Sequence, residues 1–105
     1  MQIQVNTDNQ IGGHERLTQH VSATIADSLK RFEAKLTRVE VHFHDENSSQ
    51  KPGANDKRCV MEARPRGLKP ITVKDDADSI EGALGGALEK MERALERAFG
   101  KLEAR

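Results

Sequence analysis

From Asp78 to the C-terminus the residues sort themselves around a helix more sharply than anywhere else in the chain. At roughly 100° per residue, Ile80, Leu84, Ala87, Leu88, Met91, Leu95, Ala98 and Leu102 fall on one apolar stripe. Lys90, Arg93, Arg97 and Lys101 line one flank, and Glu89, Glu92, Glu96 and Glu103 line the other. A helix with a single apolar stripe has to bury it against another layer. The rest of the chain must therefore supply a surface. Arg93 with Arg97, and Glu92 with Glu96, are like charges at i,i+4, a spacing that costs an isolated helix about 0.2–0.5 kcal/mol per pair. A partner outside the helix would explain such sorting. A solvated face, with Glu89–Arg93 and Arg93–Glu96 as compensating pairs, explains it too.

The surface for that stripe comes from alternation. Ile3 and Val5 alternate with Gln2, Gln4 and Asn6. The same period of two holds for Val39, Val41 and Phe43, for Cys59, Met61 and Ala63, and for Ile71 and Val73, which predicts four strands with one buried face each. Leu17, Val21, Ile25, Leu29, Phe32 and Leu36 recur at helical spacing and predict a first helix over about Glu15 to Lys35, after a break at Gly12-Gly13. Residues 45–56 are polar, contain Pro52-Gly53 and predict a loop. Pro65-Arg66-Gly67 is a turn signal. Asp78 stands three residues before Glu81, the spacing of a capping box opening the last helix. Asp75, Asp76 and Asp78 are placed near that helix start, where the dipole favours negative charge.

The order is strand, helix, strand, strand, strand, helix: an α+β fold, β-α-β-β-β-α, with a four-stranded mixed sheet and both helices on one face. The first strand–helix–strand unit should pair in parallel through a right-handed crossover. The other face would carry Gln4, Glu40, His42, His44, Arg58, Glu62, Arg64, Thr72 and Lys74 and stay open to water. A length of 105 residues predicts one domain spanning 1–105.

Composition narrows the function. Lys and Arg number 17, as do Asp and Glu, so the formal charge is zero; the sorted helix shows that such a balance can hide a basic surface. Mean hydropathy is −0.73, and no apolar run approaches the ~18 residues that would cross a bilayer. Met1-Gln2-Ile3-Gln4 lacks the basic and apolar regions of a signal peptide, and the one cysteine, Cys59, fits a reducing cytoplasm. Cytoplasmic localisation is the expectation. There is no Trp or Tyr, and all three Phe residues fall on apolar faces, so stacking of bases on exposed rings is not expected.

No set of acid, base and nucleophile stands out, no serine lies in a nucleophile elbow, and no glycine loop has phosphate-binding spacing. The chain is not expected to be an enzyme, to use a cofactor or to take a small-molecule substrate. His42 and His44, at i and i+2 of a strand, share a face with Glu40. Short of further ligands they read as solvated strand histidines, and no metal ligand is assigned. Cys59 alternates with Met61 and Ala63 and reads as a small core residue. Gly82, Gly85 and Gly86 project outward on the last helix. Each costs about 1 kcal/mol relative to alanine, which points either to close approach of a partner along bare backbone or to a loosened first turn. A second basic group comprises Arg64, Arg66, Lys69 and Lys74, with Arg16, Arg31 and Lys35 on the first helix.

Several stretches, in this order, resemble the ribosome hibernation-promoting factor and ribosome-associated inhibitor family, also called the sigma-54 modulation family. They are Ile3-Gln4-Val5-Asn6, Leu17-Thr18-Gln19-His20-Val21, residues 32–41 from Phe32 to Val41, residues 75–84 from Asp75 to Leu84, and residues 90–95 from Lys90 to Leu95. The resemblance covers nearly the whole chain and is that of a short form. It implies a fold similar in shape to a double-stranded RNA-binding domain. It also implies a non-enzymatic factor, monomeric when free, that occupies the mRNA and tRNA channel of the small ribosomal subunit under stress or in stationary phase and blocks translation. Carried over by position, the family's basic residues fall on Lys90, Arg93, Arg97 and Lys101 of the last helix and on Arg64, Lys69 and Lys74 near the strand turns, as rRNA-binding positions. Typical short members are more basic, and Glu89, Glu92 and Glu96 depart from their pattern. A second reading, favoured by the even charge balance, is a protein-interaction module of the same fold that has lost ribosome binding.

Overall fold

Four alternating segments become the strands β1 (Gln2–Thr7), β2 (Leu36–Asp45), β3 (Lys57–Pro65) and β4 (Ile71–Ala77), joined by helices α1 (His14–Ser28) and α2 (Ile80–Glu103) in the order β1-α1-β2-β3-β4-α2. The computed structural model describes residues 1–8, 14–45 and 56–103. The expected break at Gly12-Gly13 and the loop containing Pro52-Gly53 lie outside the described residues, as do the side chains of Leu102 and Glu103.

Strand order in the sheet is β1-β2-β3-β4. β1 runs parallel to β2, with Ile3 opposite Val39 and Val5 opposite Val41. The two remaining pairings are antiparallel, with Val41 opposite Met61 and Met61 opposite Val73. The mixed sheet with two helices in the predicted order is therefore present. Val39, Val41, Phe43, Cys59, Met61 and Ala63 turn to one face and are buried there with Val21 and Ile25 of α1, Leu29 just past its end, and Leu84, Leu88, Met91 and Leu95 of α2. Both stripes close on one core because a strand's odd and even residues point to opposite faces.

Four local expectations change. The first helix does not continue to Lys35: regular α structure stops at Ser28, and Lys30–Lys35 form a 3₁₀ segment. Phe32 N–H donates to Leu29 C=O at 2.9 Å. The tighter winding aims Phe32 at the core, where it stacks on Phe99 of α2 with ring centroids 5.8 Å apart. The cap of α2 is Ser79, not Asp78, since Ser79 Oγ accepts the Gly82 N–H at 3.0 Å, an N-cap bond to the third helical residue. Glu81 is drawn away to His20 Nε2 of α1, 2.8 Å off. Asp75 and Asp76 belong to β4, not to the approach of the helix. Finally, Gly86 does not face outward: a Cβ there would lie 2.0 Å from Asp75 Oδ2, so the absent side chain makes room for that carboxylate.

Candidate nucleic-acid interface

The connection from Ala77 to Ile80 sends α2 back along β4. Gly86 lies against Asp75. One turn further on, Lys90 Nζ donates to the Lys74 carbonyl at 2.7 Å and meets Asp75 Oδ1 at 3.0 Å. The basic flank of α2 therefore follows the β4 edge. The acidic flank turns the other way, toward α1 and the 3₁₀ segment, where Arg31 pairs with Glu96. Part of the charge sorting is thus tertiary pairing: Glu96 of that flank meets Arg31 of the 3₁₀ segment.

Arg93, Arg97 and Lys101 continue along the edge side to the end of the molecule formed by the 3₁₀ segment and the β3–β4 turn. Contacts tie that end together. Lys35 Nζ lies 4.9 Å from the Phe99 ring centre, and the Arg31 guanidinium 4.5 Å from that of Phe32. Arg66 donates its backbone N–H to the Lys35 carbonyl at 2.9 Å and its Nε to the Ala34 carbonyl at 3.2 Å. The turn itself is held by Gly67 at φ +75°, a conformation other residues rarely adopt, and it projects Arg66 and Lys69 into solvent. The opposite end, where β4 passes into α2 and where β1 and β2 finish, holds Asp8, Asp45, Asp56, Asp75, Asp76, Asp78 and Glu81. Lys57 and Arg58 stand among these acids and pair with Asp45, Asp56 and Asp76, so among the described residues the acids at that end outnumber the bases.

The seven sequence-selected residues divide by their company. Arg93, Arg97, Lys101, Lys69 and Lys74 are exposed and make no ion pair among the described residues. Lys90 is tied to Asp75. Arg64 is tied to Glu62 at 2.9 Å and lies 3.9 Å from Glu40, and the hydrogen bond to Glu62, with that carboxylate's charge, holds its guanidinium still more firmly protonated. Sequence reasoning named Arg31, Lys35 and Arg66 without placing them. The fold brings them to the same end as Arg97 and Lys101, a convergence that depends on packing of the 3₁₀ segment against α2.

The open sheet face is a different surface. Arg38 pairs with Glu40 at 2.7 Å and Arg58 Nε with Asp76 Oδ1 at 2.8 Å. The Asp76 carboxyl is held below its ordinary value, first by the Arg58 hydrogen bond and further by the charges of Arg58, Lys74 and Lys90, against a smaller opposing effect of burial. Glu40 and Glu62, Asn6 and His42, Val60 and Thr72 line a shallow depression there. Arg38, Arg58 and Arg64 on this face are thus paired with carboxylates, whereas Arg93, Arg97 and Lys101 of α2, Lys69 of the turn and Lys74 of β4 make no ion pair among the described residues. Phe32, Phe43 and Phe99 are all buried, and among the described residues no helix is long and apolar enough to cross a membrane.

Comparison with known proteins adds three findings. The family model described as sigma 54 modulation protein / S30EA ribosomal protein matches residues 3–103. The N-terminal domain of Thermus thermophilus Protein Y is similar in structure, with a TM-score of 0.70 and 15% sequence identity over 92% of this chain and 98% of that one. A ribosomal subunit interface protein from Coxiella burnetii is similar with a TM-score of 0.64 and 16% identity over 100% of both chains. At such identities these likenesses speak for the fold. No curated protein sequence matches.

Proposed function

The chain belongs to the sigma 54 modulation protein / S30EA ribosomal protein family, and from that premise we propose that it is a non-enzymatic ribosome-binding factor that silences translation by occupancy. Its place would be the mRNA and tRNA channel of the small ribosomal subunit, in stress or stationary phase, with the free protein a cytoplasmic monomer. The observation that carries this reading is the cationic row Arg93, Arg97 and Lys101, without an ion pair among the described residues, which runs toward the end of the molecule that also carries Lys69. Phosphate contacts position a protein on RNA without reading bases, and structured RNA is recognised largely by shape and backbone. A surface rich in arginine and poor in exposed rings suits that mode. The acidic opposite end would orient approach, since a polarised molecule meets a polyanion cation-first.

Co-sedimentation of the protein with isolated small subunits, at low and high ionic strength, tests the proposal. Binding that weakens steeply with salt is expected. Failure to co-sediment at low salt would overturn it.

A further inference from the structure

At the acidic end of the sheet, β1 finishes beside the last residues of β2, with Thr7 opposite Phe43. Asp8 continues the ladder past Thr7, its N–H donating to the Phe43 carbonyl at 3.2 Å. That bond sets the Asp8 side chain against two imidazoles on β2. Asp8 Oδ1 lies 3.4 Å from His42 Nε2 and 3.6 Å from His44 Nδ1. The two rings stack with centroids 4.2 Å apart and planes 13° from parallel. One donor atom from each of the three residues falls within 4.8 Å of the others. We propose that Asp8, His42 and His44 form a binding site for a divalent transition metal of the Zn²⁺ class.

The donor set fits that chemistry. Two neutral imidazoles with one carboxylate suit Zn²⁺, Co²⁺, Ni²⁺ or Cu²⁺, whereas Ca²⁺ and Mg²⁺ prefer oxygen alone. Ligand bonds of about 2.0–2.2 Å bring donor atoms to roughly 3.0–3.5 Å from one another, which the two separations from Asp8 nearly meet. Rotation of the rings about χ2, a soft torsion, brings the imidazole nitrogens the rest of the way. The carboxylate is oriented before any metal arrives: its second oxygen accepts the Asp45 backbone N–H at 3.2 Å, the kind of outer contact that fixes a ligand. A carboxylate is ionised at neutral pH, so Asp8 is available there as the anionic ligand.

Among the described residues, the neighbours leave the site open. Asp45 and Asp56 are engaged by Lys57 at 3.3 and 3.2 Å, and Arg58, opposite His44 in the β2–β3 register, is bonded to Asp76. All three donor residues are partly exposed. Three protein ligands leave at least one coordination position for water or for a group on a partner. Glu40, on the same strand face, is not a member, because it is taken by Arg38. The site lies at the end opposite Arg97 and Lys101, so it stands or falls independently of ribosome binding.

The experiment is titration of the full chain, freed of metal by a chelator, with Zn²⁺ by calorimetry and with Co²⁺ by visible absorption, alongside backbone amide spectra with Zn²⁺. One Zn²⁺ per chain is expected, with shift changes centred on Asp8, His42, His44 and Asp45. Asp8→Asn, His42→Gln and His44→Gln should each weaken binding about tenfold or more, while His20→Gln leaves it unchanged. Amide spectra of the variants verify that they fold, and the map of shift changes on the unaltered protein locates the site without any substitution. Binding that survives all three variants, shift changes centred on His20 and Glu81 instead, or no saturation with Zn²⁺ in large excess would each overturn the proposal.

Discussion

The carboxylate of Asp75 fills the space that a side chain on Gly86 would take: a Cβ there would stand 2.0 Å from its Oδ2. Lys90, one turn along α2, closes over the same carboxylate at 3.0 Å. Edge strand and helix are thereby joined by a charge pair that needs a glycine. At Gly85 an added Cβ would meet nothing within 4 Å. Gly85→Ala should therefore stabilise the protein by about 1 kcal/mol through helix propensity. Gly86→Ala should cost about 1 kcal/mol net, because overpacking outweighs the same propensity gain. Denaturant midpoints moving in opposite directions would show it.

Phe32 and Phe99 stack where the 3₁₀ segment meets α2, and both are 6% exposed. Phe99→Ala should cost about 3 kcal/mol, in the range for a buried phenylalanine truncated to alanine. Because this contact also positions Lys35 and Arg31, the variant should bind ribosomal subunits more weakly under conditions where it remains folded.

Cys59 is fully buried, and burial, aided by the charge of Asp75, pushes its thiol up to about 12. The thiolate is the reactive form. The native protein should be inert to a thiol-specific reagent at pH 8 and react stoichiometrically once unfolded, with the native rate limited by opening of the core.

The Arg58–Asp76 pair sets a dependence on acid. A carboxyl whose folded value lies below its unfolded one, near 3.9, stabilises fully above about pH 5 and loses that contribution as pH falls through the folded value. Stability should decline over that window as carboxylates of this kind protonate. Arg58→Gln should lower stability at pH 7 and flatten the acid limb, so that variant and wild-type curves converge at low pH.

Arg93 and Arg97 carry the interface prediction. Arg93→Gln and Arg97→Gln should each weaken ribosome association and each reduce the slope of log affinity against log salt by about one. Arg58→Gln, at the other end of the strands, should leave that slope unchanged. Equal slopes for all three variants would disconnect the α2 row from phosphate.

Periodicity made most of the architecture readable in advance. Apolar residues two apart in four segments and three to four apart in two others admit few arrangements, and burial of each stripe selects the one-sided sheet. The chemistry of single positions was less readable. Ser79 and Asp78 are both good caps, and only the angle at which β4 hands over to α2 selects the serine. The helix from Glu15 onward carries its apolar spacing past Ser28, yet Phe32 reaches Phe99 only if the backbone tightens. Of the basic residues, the α2 row was visible as a row. That Lys90 is spent on Asp75, and that Arg66 and Lys35 reach the end of the molecule that holds Arg97, are facts of tertiary proximity, whereas Arg64 is paired with Glu62 two positions away on its own strand.

The amino-acid sequence by itself determined the elements, their order and the separation of charges on α2, because these follow from local repeat lengths and the need to bury one stripe. Tertiary structure alone decided which charges remain unpaired and where the cations and acids collect. It also placed Asp8 beside His42, 34 residues away in the chain. Electrostatic and ligand geometry depend on distances across the fold, and no local pattern encodes those.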